Sequence, residues 1–296
     1  MTPWQRQLTE LLQSACVAEV SLSKPGNVDL HSSFSDATVS DFLDSAAAIA
    51  PVLSRTNEFG LGRAVLESVR ATRQVVTHNT NLGIILLLAP LSAVPENATL
   101  CDGIEDVLSR LDVDDAVQTY RAISEAMPGG LGKADQQDVS ERPTEDLRTC
   151  MKLAADRDLI ARQYANGFQD VLSFSVSTLL QSRTWQQHRP LCLAWLSVRL
   201  LAQFGDSLIV RKCGEAIDQH VRKLAQNVVD SGWPHQTDSQ HHYDQLDAFL
   251  RDSDHKRNPG TTADMVAATV FACFRDHDCM WNNSSGLIDF KRQPDV

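Results

Sequence analysis

The chain has 296 residues, of which 43% are hydrophobic and 22% are charged. These proportions are typical of a globular protein and exclude a disordered one. The formal net charge is −11, and the sequence shows no basic face, so no nucleic-acid partner is expected. An acidic protein can still bind phosphate groups through a few focused cations and backbone N–H groups.

The seven cysteines are scattered, odd in number and never arranged as Cys-x-x-Cys. This pattern predicts reduced, mostly buried thiols in a cytoplasmic protein and disfavours a zinc site. The first residues favour an amphipathic helix over a signal peptide. The longest apolar run, residues 83–91, is far shorter than the ~20 residues of a membrane helix. We therefore expect a buried helix there and no membrane partner.

Helical periodicity runs through nearly the whole chain. In chain order it predicts helices through residues 8–16, 40–51, 65–78, from 82 onward, 102–111, 114–127, 144–182 with a break near Gly167, 191–204, 206–229 and 261–274. The segment with Gly232, Pro234 and three histidines is predicted to be a polar loop. Strand patterns are scarce. The sequence thus predicts an all-α fold, a single-domain helical bundle over residues 1–296 with functional loops between its helices.

Five connections contain more Gly, Asn and charged residues than a plain connection requires. They are Lys24-Pro-Gly-Asn27, Asn79-Thr-Asn-Leu-Gly83, Pro128-Gly-Gly-Leu-Gly-Lys133 with Asp135 close behind, Gly205-Asp206 to Gly214, and Asn258-Pro-Gly-Thr-Thr262. Loops carry binding and catalytic residues more often than connecting duty alone demands. Each of these loops also has a plain structural explanation.

The first two loops offer sites for an anion. Pro25 and Gly26 define a turn that can present Lys24 to a phosphate, although a helix-ending turn with a solvated lysine is the alternative. Asn79 and Thr80 can cap the helix that follows them. The free N–H groups of that helix could hold an anion, or the two residues could do nothing beyond capping.

The other three loops combine acids with cations. The Gly-rich loop carries Lys133 and a candidate metal ligand, Asp135, but its spacing is not that of a Walker A motif, and a mobile linker is the alternative. Asp206 with Arg211 and Lys212 could hold a metal–phosphate group or could form surface ion pairs. In the last loop, Asp264 could ligate a metal or could only complement a helix dipole.

Two further acidic features stand out. Glu19 falls on the apolar stripe of the first helix, where a carboxylate needs a partner or a metal. The triplet Asp156-Arg157-Asp158 is predicted to lie in the middle of a helix with its two acids on different faces. One of these acids is expected to face inward.

Taken in order, these motifs resemble the triphosphoribosyl-dephospho-CoA synthase family over about residues 15–272. The matching positions are Lys24, Gly26 and Asp29; Asp36; Phe42 and Ser45; Asn79, Thr80 and Gly83; Asp206, Arg211 and Gly214; and Pro259, Gly260, Ala263 and Asp264. Each motif is short, so the specificity comes from their order. The resemblance implies an all-helical enzyme that transfers the 5-triphosphoribosyl group of ATP to the 2′-hydroxyl of 3′-dephospho-CoA and releases adenine.

The resemblance suggests roles for individual residues. We expect Mg²⁺ on Asp36, Asp206 and Asp264, and Glu19 or Asp29 as the base for the acceptor hydroxyl. ATP and its phosphates are expected to bind at the remaining positions, Lys24, Gly26, Asn79, Thr80, Gly83, Lys133, Arg211, Pro259 and Gly260. ATP and a hydroxyl-bearing acceptor are the predicted partners, and a homodimer is left open.

Some positions depart from the family pattern. Asn81 and Leu82 stand where the family has His-Lys, and Leu131 and Lys133 stand where it has Arg and Glu. Three alternatives therefore stay open at this point. They are transfer to another cofactor precursor of the pterin or furan type, Mg²⁺-dependent hydrolysis of a nucleotide or ribosyl bond, and nucleotide binding without catalysis.

Overall fold

The computed structural model describes residues 1–27, 38–128, 132–185, 187–251 and 255–290. Its α-helices are α1 Pro3–Ser21, α2 Val39–Leu53, α3 Thr56–Phe59, α4 Leu61–Val75, α5 Leu82–Ala93, α6 Leu100–Ser109, α7 Val113–Ala126, α8 Leu147–Ala154, α9 Leu159–Asn166, α10 Val176–Gln181, α11 Cys192–Phe204, α12 Ser207–Cys213, α13 Glu215–Asp230, α14 Gln240–Leu250 and α15 Gly260–Asp276. A π-helical turn, Asp170–Ser175, leads into α10. The predicted all-α fold is confirmed.

Helix α5 lies at the centre of the fold. Every residue of α5 except Gly83 is buried, and the helix packs against α15, α4, α2, α6 and α9. The hydroxyl of the fully buried Tyr164 donates a hydrogen bond to the backbone oxygen of Leu86, 2.7 Å away. The apolar run in the sequence is therefore a core helix. In the described ranges no single helix is both long and apolar enough to cross a membrane.

Two hydrophobic clusters fill the interior of the described chain. The larger one joins α1, α2, α4 to α11 and α15. The smaller one lies between α11, α12, α13 and α14, and includes Trp195, Ile209 and Leu246. Helix α11 contributes to both clusters. That the chain is one domain stays a prediction.

The predicted helix over 144–182 is broken into shorter pieces. The predicted helix is interrupted at Asp158. The side chain of Asp158 accepts hydrogen bonds from the N–H groups of Ile160 and Ala161 and so forms the N-cap of α9. Gly167 then ends α9 in the left-handed conformation. The expectation that Asp156-Arg157-Asp158 lies mid-helix is therefore wrong. The triplet forms the turn between α8 and α9.

Three other differences concern the second half of the chain. The predicted helix 206–229 is two helices, because Gly214 at a φ of 87° separates α12 from α13. Helix α14 occupies much of the predicted polar loop, and only Leu246 and Leu250 of this helix are buried. A small antiparallel hairpin, β1 Cys279–Asn282 and β2 Leu287–Phe290, was not expected from the sequence.

Candidate active site

The N-terminal end of α5 meets the first turns of α15 at Gly83 and Asp264. A Cβ atom added to Gly83 would lie 2.0 Å from Oδ2 of Asp264, which is far inside contact distance. Only a glycine at this position lets the carboxylate approach the helix end so closely. Because a helix N-terminus carries unpaired N–H groups and partial positive charge, this is a favourable place for acidic and phosphate groups.

The Asp264 carboxylate has no hydrogen-bond or ion-pair partner among the described residues. Its side chain keeps partial contact with solvent, although it is densely surrounded by protein. This burial raises the pKa of Asp264 well above its usual value, the negative charges of Glu19 and Asp206 add to the effect, and Arg211 opposes it. A carboxylate held without a donor in an acidic setting is costly unless a ligand compensates it.

Glu19 belongs to the same cluster. The pKa of the neighbouring Cys16 thiol is raised to about 12, first by burial and then by the charges of Glu19 and Asp264. The influence of both acids on one thiol shows that α1 and α15 bring their carboxylates to the same place. Glu19 is 6% exposed, as its position on the apolar stripe predicted.

Lys24 is the partner that Glu19 requires. Its Nζ lies 3.1 Å from Oε1 of Glu19 and donates to the backbone oxygens of Glu19 and Leu22. The lysine is 0% exposed, and its three ammonium protons have three acceptors. The expectation that the turn presents Lys24 to a phosphate is therefore wrong, because the ammonium is used to neutralise a buried carboxylate.

Gly26 and Pro259 lie where the loop that contains Lys24 packs against the loop before α15. The backbone N–H of Gly26 donates to Oδ1 of Asp247 at 2.8 Å. Gly26 has a φ of 72°, and a Cβ there would lie 2.4 Å from Cβ of Leu250 and 3.1 Å from Pro259. These contacts bring the Lys24 loop, α14 and the start of α15 together.

Asp206 was predicted to be a metal ligand, but the structure gives it a different role. Its Oδ1 accepts the N–H groups of Leu208 and Ile209 at 2.9 and 3.1 Å. Its Oδ2 accepts the N–H and the hydroxyl of Thr262 at 2.7 and 2.8 Å. Since four donors occupy both oxygens, the carboxylate has no lone pair left for a cation. Asp206 instead caps α12 and ties that cap to the beginning of α15.

That Arg211 binds a phosphate stays a prediction. Its Nη1 lies 2.8 Å from Oδ2 of Asp158, and its side chain is 28% exposed. The positive charge also acts on Asp264, where it offsets a part of the rise in the pKa of that carboxyl. Lys212, the next residue, donates to Oδ1 of Asn258 at 3.2 Å.

The second loop caps α5 and contacts α2. Oδ1 of Asn79 accepts the N–H of Leu82 at 3.0 Å. The hydroxyl of Thr80 lies 2.7 Å from that of Ser45, another position that the resemblance singled out. Gly260 opens α15, and a Cβ added there would meet the Leu208 side chain at 2.6 Å.

The remaining predicted positions do not join this cluster. Lys133 is exposed, and within the described residues no contact links it to Asp264 or Glu19. Asp29, Asp36 and residues 129–131 lie outside the described residues. Four of the five predicted loops therefore meet around the N-terminus of α5.

Three aspartates hold these loops in place; the sequence pointed to Asp158 only as one of two acids in a predicted helix, and gave no sign of Asp247 or Asp218. Asp158 caps α9 and pairs with Arg211, Asp247 binds the Gly26 loop, and Asp218 accepts the N–H of Asp206 at 2.7 Å. The available signal was strongest for Asp158, which stands directly before an apolar helix start. No sequence pattern links Asp218 or Asp247 to its distant partner.

Magnesium fits this site only together with a nucleotide. In the part of the chain that the structure describes, no group of three or more His, Cys, Asp or Glu side chains could hold a metal ion. Mg²⁺, however, is often bound by one or two carboxylates plus substrate phosphates. Asp264, with both oxygens free of donors from the described residues, meets that requirement.

The sequence and the fold were compared with those of known proteins. The family model for ATP:dephospho-CoA triphosphoribosyl transferase matches residues 5–282. A crystal structure from Archaeoglobus fulgidus, of a protein provisionally named triphosphoribosyl-dephospho-CoA synthase, is similar in fold, with a TM-score of 0.62 and 24% identity over 79% of this chain and 98% of that one. No curated protein matches the sequence. Because the family model covers nearly the whole length, the chain belongs to the ATP:dephospho-CoA triphosphoribosyl transferase family.

Proposed function

We propose that this protein transfers the 5-triphosphoribosyl group of ATP to the 2′-hydroxyl of 3′-dephospho-CoA at the N-terminus of α5. The observation that carries the proposal is the Asp264 carboxylate, which lies against Gly83 without a partner among the described residues. The family to which the chain belongs supports the reaction. The convergence of four loops supports the location.

In the proposed reaction the hydroxyl oxygen of the acceptor forms a bond to C1′ of the ATP ribose. The bond between C1′ and the adenine nitrogen breaks, the acceptor loses a proton and adenine leaves with one. Positive charge develops on the ribose along this path, as it does in glycoside chemistry. The carboxylates of Glu19 and Asp264 provide negative charge where that cationic sugar would lie.

We assign a separate role in the reaction to each residue around the cluster. The free N–H groups of α5 and the Arg211 guanidinium hold phosphate oxygens. Asp264 would be the protein ligand of Mg²⁺, which would supply neutralisation of the triphosphate charge when bound. Glu19, oriented by Lys24, accepts the proton of the acceptor hydroxyl. Asp29 and Asp36 stay candidates for a second base and a second metal ligand.

Lys24 and Asp206 have supporting roles in this proposal. Lys24 orients Glu19, and Asp206 fixes α12, which carries Arg211, to the first turn of α15. We also propose a cytoplasmic location, which the seven free cysteines support, since a reducing compartment keeps thiols unpaired.

The test is incubation of the purified protein with ATP, Mg²⁺ and dephospho-CoA, followed by mass spectrometry. We expect adenine and the triphosphoribosyl adduct in equal amounts, and neither product after chelation of the metal. Adenine release only with a pterin- or furan-type acceptor would show a different acceptor. Ribose or phosphate release without an acceptor would show a hydrolase, and ATP binding without any product would show a binding protein; each of these results overturns the proposal.

A further inference from the structure

A cavity opens beside the Asn79 loop. It has a volume of about 240 Å³ and lies between the C-terminal end of α4, the connection to α5 and the C-terminal end of α7. Its lining includes Val69, Arg73, His78, Asn79, Ala126 and Met127. None of these residues takes part in the Asp264 cluster except Asn79, which caps α5.

The cavity has an apolar wall and a polar edge. Val69, Ala126 and Met127 supply the apolar surface, and His78 and Asn79 supply groups that can donate or accept hydrogen bonds. This combination suits a flat heteroaromatic base, which stacks on apolar groups and is recognised by hydrogen bonds at its edge. The volume is below the usual 300–1,000 Å³ of a whole-ligand pocket, so it would hold one segment of a larger molecule.

His78 gives an independent indication of a ligand. Its Nε2 atom is buried and has no hydrogen-bond partner among the described residues. A buried polar atom without a partner is uncommon in a folded protein and carries a free-energy cost. Since the atom is not accessible in the free protein, the imidazole must turn toward the cavity for a bound ligand to provide the missing partner.

Met127 lies at the same cavity. Its side chain is 69% exposed, and its backbone forms the left-handed C-cap of α7, with a φ of 49°. An exposed apolar side chain at the rim gains most if a ligand covers it.

The position of the cavity relates it to the reaction. Asn79 lines the cavity and its side chain also binds the N–H of Leu82, the residue next to Gly83. Four residues of chain span at most about 14 Å, so the cavity and the Asp264 carboxylate flank the same helix end. In dephospho-CoA the adenine is attached to the ribose that carries the attacking 2′-hydroxyl. That base must therefore bind within one ribose length of the reaction centre.

We propose that this cavity binds the adenine of the acceptor, dephospho-CoA, with His78 at the edge of the base and Ala126 and Met127 against its face. The inference rests on the proposed function and names the acceptor half of its site. The adenine of ATP, which leaves during the reaction, would then lie on the Asp264 side of α5.

The test uses Ala126→Leu, which fills the cavity from the last residue of α7. Ser124→Leu is the matched control, because Ser124 is exposed on the same helix and does not line the cavity. We expect the KM for dephospho-CoA to rise at least about tenfold in Ala126→Leu, since a small misfit in a binding pocket costs 10-fold or more. The KM for ATP and the properties of Ser124→Leu should stay within about twofold of wild type on the same basis.

A second variant and a binding measurement complete the design. His78→Ala should also raise the KM for dephospho-CoA selectively, and titration calorimetry with dephospho-CoA alone should show weaker binding for both variants. A selective rise in the KM for ATP would assign the cavity to the ATP base and overturn the inference, as would unchanged acceptor binding in both variants. If wild type binds dephospho-CoA but forms no adduct, the proposed function fails, while the calorimetry still decides where the acceptor binds.

Discussion

Asp264 of α15 occupies the space that a side chain at Gly83 of α5 would need. The carboxylate oxygen Oδ2 lies 2.0 Å from the place of a Cβ on Gly83, although the two residues are far apart in the sequence. This contact holds an acidic group against the positive end of a buried helix. It also makes a glycine obligatory at the first turn of α5.

The Gly83→Ala substitution tests this contact. The added methyl must displace the Asp264 carboxylate, so we expect a loss of about 1–3 kcal/mol in the free energy of unfolding, as for other overpacked sites. In an Asp264→Ala background the nearest obstacle is gone, and the next one is the flexible end of the Ile160 side chain. The same substitution should then stabilise the protein by up to about 1 kcal/mol, because alanine is the better helix former.

Urea denaturation of the four proteins in this double-mutant cycle measures the coupling. A destabilisation by Gly83→Ala that is the same in both backgrounds would show that the methyl meets something other than Asp264. Ile160 is the other neighbour in reach, but its contact is the flexible end of a side chain.

Much of the fold could be predicted from the sequence because most helices have a clear apolar stripe or are apolar on every side. Helices α4, α5 and α15 follow from such patterns. The failures have local physical causes. Asp158 captures the N–H groups of the next turn and starts a new helix, and Gly214 interrupts a continuous pattern. Helix α14 was missed since it buries only two of its side chains.

The site could be predicted less well than the fold. The order of the loops identified the region, and Glu19 was recognised as a carboxylate in need of a partner. The sequence could not show which charged side chains are already bound to other groups of the protein, because this depends on contacts between residues that are distant in the chain. The Asp206 oxygens are taken by α12 and Thr262, and the Lys24 ammonium folds back on Glu19.

The Asp264→Asn substitution should stabilise the apoprotein at neutral pH. Burial raises the folded-state pKa of Asp264 above the value of about 3.9 that it has in an unfolded chain. As the pH rises from about 4 through the raised folded-state pKa, ionisation of Asp264 therefore lowers the free energy of unfolding. The variant avoids this cost, so its advantage should be absent near pH 4 and grow toward neutral pH.

Thermal unfolding of wild type and Asp264→Asn, without nucleotide or metal, at several pH values measures this difference. We expect a higher Tm for the variant by a few degrees, since about 1 kcal/mol corresponds to about 2–4 °C in a large domain. A lower Tm for the variant at neutral pH would mean that the carboxylate already has a partner in the folded apoprotein.

The Asp206→Ala substitution should unfold or strongly destabilise the protein. It leaves the N–H groups of Leu208, Ile209 and Thr262 and the Thr262 hydroxyl without their acceptor. Losing a buried cap of two helices should cost at least about 2–4 kcal/mol. Asp206→Asn, which keeps one acceptor oxygen, should cost less. A metal-ligand role would instead predict unchanged denaturation midpoints in both variants with lost activity.

The Lys24→Met substitution separates a structural lysine from a phosphate-binding one. Removing the ammonium leaves Glu19 buried without compensation, which should cost about 3–5 kcal/mol. The double variant Lys24→Met with Glu19→Gln should recover part of this loss, because no charge is then left in the interior. Guanidinium denaturation of the three variants measures both effects. A stable Lys24→Met with a raised KM for ATP would restore the phosphate role.

The role of Asp264 in the reaction is tested most directly by the initial rate of adenine release from ATP with Mg²⁺ and dephospho-CoA, for wild type and Asp264→Asn. We expect release matched by adduct formation in wild type, and a rate at least about 100-fold lower in the variant, as is common when a charge-stabilising group of an active site is removed. The variant should be at least as stable as wild type, so unfolding cannot explain the loss. An Asp264→Asn protein that releases adenine at the wild-type rate would show that the Asp264 carboxylate takes no part in the reaction.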